Sequence, residues 1–349
     1  MHPSDPPDRP GPAEPALRDK IDFLRRPEAF AEPAGTVATV ETHMSWVFLT
    51  DAHAYKMKKP VRYSFLDYST LGRRRRMCSE ELRLNRRLAP WVYLGVVPLL
   101  CDDRGRLALG ALDQPAAGIP VEWLVKMVRL PAERLLDRAI RLDMVAERDA
   151  ERTAAHLAAF FAGAEPVAVP PPAYLRRFGT AIETQARELD AAGVPERRFA
   201  AVVRALHGFI ADRQRLMLAR LEGRRVIEGH GDLRPEHLFL GEPAAVIDCL
   251  EFDRALRLLD PLEELAFLAM ECERLGAGKW GALFLEVYLR RTGDDAPEEL
   301  MQFYKAERAL LRARLAVGHL HDGEVREPRR WREQADHYLD LADRNIARL

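Results

Sequence analysis

Cysteine is scarce in this 349-residue chain: Cys78, Cys101, Cys249 and Cys272, with no CxxC pair. That excludes a zinc ribbon and a disulfide framework, suits a reducing cytoplasm, and leaves the thiols as isolated buried or half-buried groups. No apolar run approaches the roughly 20 residues needed to cross a bilayer, so no membrane partner is expected. An excess of one charge is lacking too. Fifty-three Lys and Arg stand against 54 Asp and Glu, for a formal net charge of -1, so no global field recruits nucleic acid. The N-terminus "MHPSDPPDRPGPAEPA" has no apolar signal-peptide core; Pro-rich and charged, it reads as a disordered tail over residues 1–18. There is no internal repeat, and no GxxxxGK[ST] phosphate loop.

What is present is enough chain for a large core, with 48% hydrophobic and 31% charged residues, and two textures. From about Gly35 to Arg129 the sequence is strand-like. "GTVATVETH", "SWVFLTD", "AYKMKKPV", "GVVPLL" and "EWLVKMV" are short, rich in Val, Thr and aromatics, and separated by turn signals such as "DDRG". These predict a five-stranded sheet, interrupted by one helix, "STLGRRRRMCSEELRLNRRLA". Ser69 or Thr70 caps its start, and Met77, Leu82, Leu84 and Leu88 give an apolar face. After Pro131 the period turns to 3.6 residues, in segments 142–164, 199–223, 260–276, 281–292 and 299–320 and in a charged helix from about Glu327. The layout is α+β and bilobed: a small lobe over 19–130, a connector near Met127 to Pro131, and a helical lobe over 131–349. A cleft between unlike lobes is a usual place for a nucleotide.

One stretch breaks the helical texture: "VIEGHGDLRPEHLFLGEPAAVIDCLEFD", residues 226–253. Two apolar runs bracket His230, Asp232, Arg234, Glu236 and His237, and Asp248 lies inside the second run. An acid on a glycine-held turn projects its carboxylate where it can orient or deprotonate a hydroxyl. A second acid sixteen residues on, one hairpin later, can hold a divalent cation. Mg²⁺ binds through one or two carboxylates plus phosphates and keeps several waters. Those are the parts of phosphoryl transfer, in which positioning and electrostatics do nearly all the work.

"HGDLRPEH" followed by "VIDCLEFD" resembles the catalytic loop and metal-binding segment of the aminoglycoside phosphotransferase group within the protein-kinase-like superfamily. Upstream, "ETHMSWVFLTDAHAYKMKKPV" and "CSEELRLNRRLAPWVYLGVVPL" resemble the N-lobe of an uncharacterised bacterial branch of that group, fused in some relatives to a P-loop kinase domain. The resemblance covers roughly residues 21–320. It implies a bilobed kinase-like fold, with ATP and Mg²⁺ (or Mn²⁺) as cofactors and a small-molecule hydroxyl as acceptor. Residue by residue, Asp232 matches the acid that orients or deprotonates the hydroxyl, and His230 the histidine that holds the loop's shape. Asp248 matches the metal-binding acid. The family's metal-binding Asn is His237 here, the main departure. A neutral imidazole ligates a metal but suits Zn²⁺ or Mn²⁺ better than Mg²⁺. The superfamily also needs a strand lysine for the nucleotide phosphates, paired with a helix glutamate. Lys56 and Lys58 share a strand face; register with the family's strand favours Lys56, and the distance to Leu88 favours Glu81 over Glu80. Met127, in the connector, completes the expected nucleotide-binding residues. The group often does without a GxGxxG loop, which is absent here.

Blander readings compete. Asp232 can simply shape a turn, and Asp248 can be a buried structural acid. Asp260 reads as the N-cap of the helix that starts at Pro261. Arg73 to Arg76 read by default as a solvated helix start, though with Lys56, Lys58, Lys59, Arg83, Arg86 and Arg87 they make the first lobe basic enough to attract an anion. Two rival functions remain: a pseudokinase, suggested by His237, and a metal-dependent hydrolase built on His230, Asp232 and His237. The latter lacks the i, i+4 histidine spacing of HExxH enzymes. Segments such as "RAIRLDMVAERDAER" mix both signs, which argues against a polycationic antibiotic as acceptor.

Overall fold

The computed structural model describes residues 15–32, 35–63, 66–112, 118–321 and 328–349. Most of the expected disordered tail lies outside the described residues; its last two positions, Leu17 and Arg18, open a helix. The chain divides into two compact units, Met1–Leu130 with Glu251–Asp253, and Pro131–Leu250 with Arg254–Leu349.

The first unit begins with α1 (Leu17–Leu24), followed by β1 (Ala38–Glu41), β2 (Ser45–Leu49), β3 (His53–Lys58), and a small hairpin of β4 (Arg62–Tyr63) and β5 (Leu66–Asp67). Then come α2 (Leu71–Asn85), β6 (Tyr93–Cys101), β7 (Leu107–Leu109) and β8 (Ile119–Val128). A single antiparallel sheet runs in the order β1-β2-β3-β8-β6-β7. It has six strands where the sequence predicts five. The extra strand, β7, is only three residues long, with Leu107 and Leu109 half-buried against the core of the sheet. It forms because the Asp102 carboxylate accepts the N–H groups of Arg104 (2.9 Å) and Arg106 (2.8 Å) and turns the chain back on β6.

Period-2 alternation gives the sheet two different faces. Trp46, Phe48, Tyr55, Met57, Val97, Leu99 and Leu124 pack on one side with Leu24 of α1 and Phe30. Lys56 and Lys58 therefore point to the other side, where α2 lies. Thr70 caps α2 by accepting the N–H of Arg73. Its buried stripe is Arg74, Cys78, Glu81, Leu84 and Asn85, so two charged groups lie on its inward face. Arg74 is matched there by Glu122, Nε to Oε1 at 2.8 Å.

The second unit is helical: α3 (Leu136–Arg141), α4 (Glu147–Gly163), α5 (Pro171–Ala191), α6 (Ala200–Asp212), α7 (Gln214–Glu222), α8 (Pro261–Arg274), α9 (Gly278–Thr292), α10 (Glu298–Gly318) and α11 (Pro328–Ile346). Between α7 and α8 run four two-residue strands, β9 (Ile227–Glu228), β10 (Leu238–Phe239), β11 (Ala245–Val246) and β12 (Leu258–Leu259). β10 pairs with β11, and β9 with β12. At the core lies α8, with every residue from Pro261 to Cys272 buried. Asp260 caps it by accepting the Leu262 N–H at 2.9 Å and is itself held by two hydrogen bonds from Arg220. All four cysteines are free and buried. Among the described residues no helix is long and apolar enough to cross a membrane.

Candidate functional site

In the second unit, the loop from β9 to β10 and the segment after β11 are tied together by main-chain and histidine contacts. Gly231 takes φ +88°, a left-handed conformation that glycine adopts without cost, and a Cβ there would meet Leu250 and Arg257 at 3.2 Å. His230 is fully buried. Its Nδ1 accepts the Asp232 N–H at 3.3 Å, so Nε2 carries the proton and donates to the Ile247 carbonyl at 2.8 Å. Burial, reinforced by the nearby His237, lowers its pKa to about 4, which fits a neutral ring with both nitrogens engaged. His230 thus clamps the loop to the segment after β11 that carries Asp248.

Asp232 projects from this loop with 29% of its side chain exposed. Burial opposes its charge, but Arg234, whose Nε lies 3.1 Å from Oδ2, and then His237 and Arg312 hold the carboxyl below its usual range. It is an ionised acceptor. His237 lies between the two acids. Its Nδ1 contacts the Asp232 carbonyl at 2.7 Å, and because a carbonyl only accepts, that nitrogen carries the proton. In the neutral ring Nε2 is then a lone-pair donor, and it lies 3.7 Å from Asp248 Oδ2. Asp248 has φ +62°, a region that Asp tolerates better than most residues, and its side chain is 46% exposed. A half-exposed carboxylate beside a bare imidazole nitrogen fits a divalent cation that takes its remaining ligands from water and phosphate.

Glu264 on α8, which the sequence reading passed over, supports the loop from below. Its Oε1 accepts the N–H of His230 at 2.8 Å and that of Gly231. Burial raises its pKa to about 7 even though both N–H groups favour the ionised form. A Cβ at Gly229 would come within 2.9 Å of its other oxygen, so the glycine lets the backbone approach. The signal was present in "DPLEELAF": an acid on a helix otherwise apolar enough to be buried on all sides.

In the first unit, both candidate lysines reach Glu81. Lys56 Nζ is 2.9 Å from Oε1 and Lys58 Nζ 2.7 Å from Oε2. Lys58 also pairs with Glu251, and Tyr68 donates its hydroxyl to the same Glu251 oxygen at 2.6 Å. Their exposures differ: Lys58 is 1% exposed and Lys56 16%. Burial works against both charged groups in the inner pair, but Glu251 and Glu81 push Lys58 well above its usual value. Lys58 and then Lys56 hold Glu251 below its own. Met127 is half-buried in β8, opposite Ala54 of β3 and Tyr93 of β6. The structure therefore groups Asp232, His230, His237 and Asp248 in one unit, and Lys56 and Glu81 in the other. It adds Lys58 and Glu251 to the second set.

No protein-family model matches the chain. Uncharacterized proteins of Mycobacterium tuberculosis and Mycobacterium bovis are each 33% identical to it over 290 residues, 79% of this chain and 53% of theirs. The chain thus spans about half the length of the curated relatives it matches. Among solved structures, a choline/ethanolamine kinase family protein from Mesorhizobium loti superposes with a TM-score of 0.55 at 15% identity, covering 94% of this chain and 98% of that one. The GDP complex of aminoglycoside 2'-phosphotransferase-IIIa gives 0.53 at 13% identity, covering 95% and 99%. Choline kinase from Cryptosporidium parvum gives 0.53 at 10%, covering 95% and 96%. By its six-stranded sheet unit and its larger helical unit, the chain has the protein-kinase-like fold that these phosphotransferase structures share.

Proposed function

We propose that this chain is an ATP-dependent phosphotransferase whose acceptor is a hydroxyl group of a small molecule. The observation that carries the reading is the hairpin, in which His237 lies against the main chain of one acid, Asp232, and within 4 Å of a second, Asp248. Asp232 orients the acceptor hydroxyl and takes its proton as the new oxygen–phosphorus bond forms and the bond from the γ-phosphorus to the bridging oxygen breaks, releasing ADP. Asp248 and the Nε2 of His237 would hold a divalent cation, which when bound neutralises phosphate charge. Lys56 serves as the phosphate lysine, because its ammonium retains access to solvent while Glu81 fixes its direction. Lys58, neutralised by two carboxylates, ties the strand, α2 and the segment Glu251–Asp253 together. His230 and Glu264 hold the loop and do not touch substrate.

The hydrolase reading loses ground because both nitrogens of His230 are engaged and its ring is buried, leaving it no lone pair for a metal. A pseudokinase is the second reading, favoured only by the imidazole at position 237. The GDP bound to the aminoglycoside enzyme makes GTP the nucleotide to compare with ATP. Nucleotide turnover with Mg²⁺ or Mn²⁺, with and without a panel of hydroxylated metabolites, tests the proposal. Acceptor-stimulated turnover supports it, and nucleotide binding without turnover supports the pseudokinase.

A further inference from the structure

Within the first unit, strands β4 and β5, the start of α2 and Phe252 line an open pocket of about 700 Å³, a volume that suits a small organic ligand. Three arginines line it, Arg62, Arg73 and Arg76, against one acid, Asp67. Asp67 is already engaged: it accepts the Ser69 hydroxyl at 2.6 Å and the Ser69 N–H at 3.0 Å, and it pairs with Arg73 and, at 3.6 Å, Arg62. The wall thus carries three positive charges against one negative.

The arginine run is poorly placed for helix stability. A helix N-terminus carries partial positive charge and disfavours cations, and α2 has no acid in its first turn. Three of the four arginines have a structural reason to be there. Arg73 binds Asp67, Arg74 binds Glu122, and Arg75 stacks on the Trp123 ring with 4.6 Å from Cζ to the centroid. Arg76 has no acidic partner among the described residues. The other described walls are Tyr63, Leu66, Tyr68, Met77 and Phe252. Guanidinium groups bind phosphate through paired charge-assisted hydrogen bonds, and a phosphate monoester carries about two negative charges at neutral pH.

We propose that this cavity is a second binding site, for a small organic phosphate, with the phosphate on Arg76 and Arg73 and the apolar body against Met77 and Phe252. It is separate from the phosphotransfer reading and stands or falls without it. The test is calorimetric titration of the full chain, without nucleotide, using phenyl phosphate and inorganic phosphate as probes. Phenyl phosphate should bind saturably and more tightly than inorganic phosphate. Arg76→Ala, an exposed change whose fold is checked by its Tm, should weaken phenyl phosphate by about tenfold, the effect of losing one charged hydrogen bond. Lys56→Ala should leave it unchanged. Three results overturn the proposal: no saturable binding, equal affinity for the two probes, or an effect of Lys56→Ala matching or exceeding that of Arg76→Ala.

Discussion

Two lysines on one strand face have different surroundings, and the difference is set by a residue far away in sequence. Lys58 bonds Glu251 across 193 positions and Glu81 across 23. Alternation in "AYKMKK" was enough to put Lys56 and Lys58 on one side, but nothing local says which is buried, because that depends on Glu251. Removing one partner of a buried ion pair strands the others. Lys58→Met should therefore cost about 3–5 kcal/mol in urea unfolding. Lys56→Met should cost clearly less and act mainly on nucleotide affinity; equal losses of stability would remove the distinction. His237 is a second residue-scale test. Nitrogen donors favour the later first-row metals, so a ligating imidazole should give a high Mn²⁺ to Mg²⁺ activity ratio. His237→Asn should move that ratio towards Mg²⁺. An unchanged ratio would mean the ring touches no metal.

Among the elements, most long helices and the longer strands were legible and the shortest strands were not, while α5 was not singled out although Tyr174, Phe178, Ile182 and Leu189 lie buried in it at helical spacing. The sequence placed α2, α4 and α6 to α11 and five strands of the sheet. It passed over α1, α3 and α5, and it missed β7 and the β4–β5 hairpin, whose strands run only two or three residues. α8 was legible as a helix, but its complete burial was not, and burial is what gives its acids their meaning. Glu264 and His230 have opposite pH linkage. The Glu264 pKa is raised from 4.5 to about 7, so its contribution is present below about pH 4.5 and lost as pH rises towards 7. The His230 pKa is lowered from 6.5 to about 4, so its contribution is present above about pH 6.5 and lost on acidification towards 4. Between those limits the two oppose each other. Glu264→Gln keeps an acceptor for the loop N–H groups and removes one of the two titrations. The variant should lose about 3 kcal/mol more than wild type when the pH falls from 7 to 4.5, read from denaturant midpoints at each pH. Parallel pH profiles would show that Glu264 is already ionised in the folded protein.

For the whole molecule, the change of period at Pro131 gave a two-textured, bilobed layout, and the resemblance of the polar hairpin to a known catalytic loop implied the kinase-like fold, which the structural neighbours bear out. What the sequence could not convey is how residues distant in the chain divide the work. Asp232 and Asp248 are brought together by His230 and Glu264, and Lys58 is buried by Glu251. The central claim is that Asp232 acts in phosphoryl transfer, and it is tested most directly by transfer of radiolabelled γ-phosphate from ATP to a panel of hydroxylated metabolites. The comparison is wild type against Asp232→Asn, with nucleotide affinity measured in parallel. The account predicts acceptor-dependent transfer that falls by about 10²–10⁴-fold in the variant while nucleotide affinity changes little. Transfer at equal rates in both proteins would contradict it.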